Sequence, residues 1–65
     1  MREWLVAIRN QKGMSQYEVA EKAGISQSFY ASIETGARGH KLPVPTAKAI
    51  AHALGFNWQQ FYESE

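Results

Sequence analysis

Apolar residues along this chain recur at three- and four-residue spacings, and no stretch alternates strictly between apolar and polar. That periodicity predicts helices and no strands. Gly13, Gly24, Gly36 and Gly55 each close such a stretch, where a helix ends most easily on a left-handed residue. They divide the chain into five short helices. The first is expected over about residues 2–12, with Met1, Leu5 and Ile8 on its inner face and Arg9 at its flank. The second opens on Ser15-Gln16-Tyr17-Glu18, a capping box in which hydroxyl and carboxylate satisfy each other's backbone amides. Met14 and Val19 bracket it as a hydrophobic staple, and Val19, Ala20 and Ala23 point inward.

The third helix is capped by Ser26 and runs to about Thr35. At 100° per residue, Tyr30 and Ile33 form its buried side, with Ile25 closing the turn below, while Ser28, Ala31, Ser32 and Thr35 fall on the opposite face. A face made only for solubility more often carries Lys and Glu; this one is small and polar. Residues 36–44 read as a loop. The fourth helix begins near Pro45, a first-turn residue, and buries Ala47, Ile50, Ala51 and Leu54. Asn57 caps a last short helix, with Phe56 and Phe61 as its staple and Trp58 and Phe61 closing the core. Trp4 and Val6 lie off the inner stripe of the first helix. They and the C-terminal aromatics Trp58, Phe61 and Tyr62 suit either the core or a partner surface.

Size and chemistry narrow the function. Sixty-five residues make a single domain, near the lower limit for a core that folds unaided. With no Cys, no disulfide assists it, so stability rests on packing, to which eight aromatic residues contribute. His40 and His52 lack ligand-spaced partners, so no metal or other cofactor is expected. The N-terminal apolar run is short and interrupted by Arg9, which fits neither a signal peptide nor a membrane span; a cytoplasmic, nucleoid-associated protein is expected. No Asp or Cys is present, and no Ser, His and carboxylate have a reason to converge. An enzyme acting on a small-molecule substrate is therefore disfavoured.

Net charge is only +1, but Glu63 and Glu65 stand at the very end, and the rest carries seven basic residues against four acidic ones. No acid falls between Glu34 and Glu63, whereas Arg38, Lys41 and Lys48 do. Taken alone, such a segment is a solvated surface; beside a groove-sized helix it suits phosphate. Residues 15–36 place two short helices around Ala23-Gly24-Ile25, too tight a turn for an antiparallel pair, and small Ala20 lets them cross closely. This is the helix-turn-helix pattern, whose second helix enters a major groove.

On these residues the chain resembles the Xre-type helix-turn-helix domains, which include lambdoid phage repressors and Cro proteins. The resemblance rests on Leu5-x-x-Ile8-Arg9, Gly13-Met14-Ser15-Gln16, Val19-Ala20-x-x-Ala23-Gly24-Ile25-Ser26, Ile33-Glu34-x-Gly36 and Ala47-x-x-Ile50-Ala51-x-x-Leu54-Gly55, and covers almost the whole chain. It implies an all-α, compact five-helix repressor-like domain. The helix-turn-helix would span about residues 16–23 and 27–35, the second being the recognition helix. It also implies that Gln16 and Gln27 contact the DNA backbone and an edge base, that Ser28 and Ser32 face the groove, and that Arg9 and Glu34 form a structural ion pair.

Side-chain chemistry agrees. Gln27 offers the donor and acceptor that pair with adenine N6 and N7; the hydroxyls of Ser28 and Ser32 can address any base; and Ala31 or Phe29 can meet a thymine methyl. Gln16 and the amides opening the second helix suit a phosphate, as do Arg38, His40 and Lys41. The expected function is sequence-specific DNA binding as a bacterial or phage transcriptional regulator, a repressor acting as a homodimer on a pseudo-palindromic operator with half-sites about 34 Å apart. The alternative is a protein-binding antirepressor or adaptor that keeps the fold.

Overall fold

Backbone hydrogen bonding in a computed structural model, which describes residues 1–36 and 42–63, yields α1 (Glu3–Gln11), α2 (Gln16–Ala23), α3 (Gln27–Thr35), α4 (Val44–Leu54) and α5 (Gln60–Glu63). The fold is all-α, with no strand among the described residues. α2 is the hub, packing against both α3 and α4.

Local chemistry accounts for the ends of the central helices. Ser15 accepts from the Glu18 amide at 3.1 Å, and the Glu18 carboxylate accepts from the Ser15 amide at 2.8 Å, closing the capping box. Ser26 does half of this for α3, accepting from the Phe29 amide. Between them Gly24 takes φ +75°, a left-handed conformation that a Cβ would strain. The following Ile25 amide then donates back to the Ala20 carbonyl at 3.0 Å. That left-handed residue and that bond turn the chain sharply within three residues and set α3 against α2.

α4 starts one residue before the expected Pro45, with Pro43 as its cap residue. Pro45 sits in the first turn, where a missing amide hydrogen leaves no bond unmade.

The core comprises Leu5, Val19, Ala20, Tyr30, Ile33, Leu42, Ala47, Ile50, Leu54 and Phe61, all buried. α5 is held to it from two sides. The Phe56 and Phe61 ring centroids lie 5.6 Å apart, and the Trp4 ring meets Phe56 edge-on at 5.4 Å and Phe61 at 5.2 Å. The Tyr62 hydroxyl donates to the Leu42 carbonyl at 2.6 Å, tying the C-terminal helix to the residue that leads into α4. Trp4 thus belongs to the aromatic core and not to a free surface. Trp58, half-buried like Trp4, packs against the core as expected, edge-on to Tyr62 with the Lys48 ammonium 5.2 Å from its ring centroid.

The start of α1 also departs from expectation. Residues 1 and 2 precede the helix, so Met1 leaves the inner stripe and is 76% exposed. Arg2 is buried instead. Its amide donates to the Glu34 carbonyl, its guanidinium to the Ile33 carbonyl, and its charge lies 5.5 Å from the Phe61 ring centroid. Carbonyls at a helix C-terminus carry partial negative charge and lack intrahelical donors; Arg2 supplies both the donor and the cation for α3.

Candidate nucleic-acid interface

The surface of interest begins with what holds α3 from behind. Tyr30 and Ile33 are fully buried, one turn apart on the inner side. Glu34, one residue on, is also buried, its carboxylate surrounded by donors. Oε2 accepts from Arg9 Nε at 2.6 Å and from the Tyr30 hydroxyl at 2.7 Å. Oε1 accepts from Gln16 Nε2 at 2.9 Å, with Arg9 Nη2 more distant at 3.4 Å. Arg9 completes the set by donating from Nη1 to the Met14 carbonyl. One carboxylate therefore joins α1, the turn after it, α2 and α3.

The electrostatics follow from that arrangement. Burial pushes the Glu34 carboxyl up, but hydrogen bonds from Arg9, Gln16 and Tyr30 outweigh it and hold the group below its ordinary value. The hydrogen bond to Glu34 raises Arg9 in turn. Burial, reinforced by the anionic acceptor, moves the Tyr30 hydroxyl well above the usual tyrosine range, so it stays a donor. The ion pair expected between Arg9 and Glu34 is present; the participation of Tyr30 and Gln16 was not expected. The Tyr30–Glu34 spacing of four within one helix was the available signal, since residues so spaced share a face.

The outer side of α3 differs. Gln27 and Ser28 in its first turn are exposed, and so is Thr35 at its end. Ser32 is half-buried, and its hydroxyl donates to the Ser28 carbonyl at 2.7 Å. With that proton committed, the Ser32 oxygen presents acceptor capacity outward. Thr35 makes the equivalent bond to the Ser32 carbonyl at 3.1 Å. Ala31 and Phe29 are half-buried, and Phe29 packs against the core. The first and last turns of α3 hold no basic residue, so positive charge for phosphate must come from neighbouring segments.

Gln16, the first residue of α2, is half-buried. Its bond to Glu34 uses one amide hydrogen and leaves the second hydrogen and the carbonyl oxygen for other partners. Arg38, His40 and Lys41 lie outside the described residues. Among the described residues, no group of three or more His, Asp or Glu is placed to hold a metal ion. Nor is any helix among them long and apolar enough to cross a membrane.

Comparison with known proteins agrees with this architecture. The helix-turn-helix family model matches residues 5–61. An uncharacterized HTH-type transcriptional regulator, YqaF of Bacillus subtilis (strain 168), is 44% identical over 63 residues, covering 97% of this chain and 80% of the relative. No solved structure matches the chain. With a family match spanning α1 through the start of α5, and with the capped, glycine-turned helix pair at its centre, the chain belongs to the Xre-like helix-turn-helix family.

Proposed function

We propose that this helix-turn-helix DNA-binding transcriptional regulator acts as a repressor, reading the major groove of duplex DNA with α3. The observation that carries this reading is the division of labour on α3: Tyr30, Ile33 and Glu34 fix one side in the core, while Gln27 and Ser28 stand exposed in its first turn. A helix held from behind and bare in front can be inserted into a groove as a rigid reader. Gln27 pairs with an adenine edge; Ser28 and Ser32 make less selective contacts. Gln16 donates to a phosphate, and Arg38 and Lys41 add phosphate attraction through their charge. One such module reads few base pairs, so a homodimer on a pseudo-palindrome supplies the specificity, with half-site centres about 34 Å apart. Its action is binding and not catalysis, and its place is the cytoplasm, on the nucleoid.

Selection from a random duplex library at low and moderate salt tests this. The expected result is an enriched inverted repeat, bound with affinity that falls as salt rises, and lost by Gln27→Ala/Ser28→Ala while its thermal unfolding is unchanged. Enrichment that survives the double variant would remove α3 as the reader. No binding even at low salt would favour a protein partner instead.

A further inference from the structure

We propose that Tyr30 is a positioning residue for DNA binding, acting through Glu34 to orient the Gln16 amide. The inference rests on the reading that Gln16 contacts the DNA backbone. It starts from the unequal loading of the Glu34 carboxylate. Oε2 takes two short bonds, from Arg9 Nε at 2.6 Å and Tyr30 at 2.7 Å. Oε1 takes Gln16 at 2.9 Å, while Arg9 Nη2 stands back at 3.4 Å. An unconstrained guanidinium–carboxylate pair tends to a bidentate fork of two parallel bonds. Here the fork is open on one side. The Tyr30 hydroxyl holds Oε2, and the carboxylate plane is set so that Oε1 lies closer to Gln16 Nε2 than to Arg9 Nη2.

The consequence for Gln16 is chemical as well as steric. An ionised carboxylate only accepts, so the end of the amide facing Glu34 must be the nitrogen. This fixes the amide flip, which a free glutamine leaves open. One amide hydrogen remains available as a phosphate donor, in one orientation, on a side chain already half-buried. Pre-ordering of this kind reduces what binding loses in side-chain freedom. In Tyr30→Phe the aromatic ring stays in the core but Oε2 loses a donor. The carboxylate then turns toward the Arg9 fork, which draws Oε1 away from Gln16 and releases its amide.

The test is a double-mutant cycle on one fixed duplex, using Tyr30→Phe, Gln16→Ala and the pair, with side-chain amide spectra of the free protein. Expected is a fivefold to tenfold loss of affinity, about the worth of one hydrogen bond, for either single variant and no further loss for the pair. The salt slope stays unchanged, because no cation is removed. The Gln16 side-chain amide signals, shifted by Glu34 in the parent protein, move to free-glutamine positions in Tyr30→Phe. Additive losses would overturn the proposal and leave the Gln16 contact standing. A silent Gln16→Ala would overturn that contact and the role of Tyr30 with it. Free-glutamine signals in the parent protein would overturn the proposal without any variant.

Discussion

Replacing Glu34 by Leu is the most revealing stability experiment this fold allows. The substitution removes the acceptor for Arg9, Tyr30 and Gln16 together. Taking one partner from a buried ion pair costs about 3–5 kcal/mol, mostly because the other charge stays behind uncompensated. Arg9 keeps its bond to the Met14 carbonyl, and its side chain is 15% exposed, so water relieves part of the penalty and the cost falls at the lower end, about 3 kcal/mol. Domains of this size are stable by about 3–10 kcal/mol in total, so the loss is a third of the stability or more. Each kcal/mol shifts the midpoint by about 4–8 °C, which places the variant about 12–24 °C lower in a thermal melt followed by helical circular dichroism. The companion variant Arg9→Met/Tyr30→Phe/Glu34→Leu removes two of the three stranded donors as well and leaves only Gln16, which is half-buried and within reach of water. Because apolar residues of similar volume replace buried ion pairs at little cost, it should recover most of the loss. A single variant losing less than about 1 kcal/mol, or a triple variant no better than the single, would refute the reasoning.

Two further outcomes follow from the same geometry and from the α2–α3 turn. Glu34 titrates lower in the folded protein than in the unfolded chain, so its contribution is fully present above the unfolded carboxylate value of about 4.3 and is lost as pH falls through the folded one. The melting temperature of the parent protein should therefore drop below about pH 4 more steeply than that of Glu34→Gln; parallel profiles would contradict this. Gly24→Ala adds a Cβ that meets nothing within 4 Å, at φ +75°, so its cost is purely conformational, about 1–2 kcal/mol by urea unfolding. A larger loss would mean that the turn itself had rearranged.

What the sequence disclosed depended on the range over which each signal acts. The Ser15–Glu18 box, the Gly24 turn and the buried stripes of α3 and α4 are written within four or five residues of one another, and the three central helices could be placed from them. The Arg9–Glu34 pair spans 25 residues; the flanking positions of the two residues allow it, but the pairing itself was implied by the family resemblance. Arg2 could not be reached at all: an arginine before a helix reads as solvated, and nothing near it in the chain announces carbonyls 31 residues away. Met1 was misplaced for a related reason, since periodicity gives an angle but not the residue at which a helix begins. At the candidate interface, exposure of Gln27 and Ser28 followed from helical phase. The inward bond of Gln16 did not, because a polar residue in a first turn can serve solvent or a buried carboxylate with the same sequence.

The separation of duties around α3 bears on how such a domain changes its target. Gln27, Ser28 and Thr35 carry no core packing and hold no other helix in place, and exposed substitutions of this kind usually alter stability by no more than about 0.5 kcal/mol. The outer face can therefore drift through many combinations of side chains while Tyr30, Ile33 and Glu34 stay fixed. On the proposed reading of α3, the domain works as a permanent mount with an interchangeable tip, and new preferences can be acquired there by few substitutions without first acquiring a more stable scaffold.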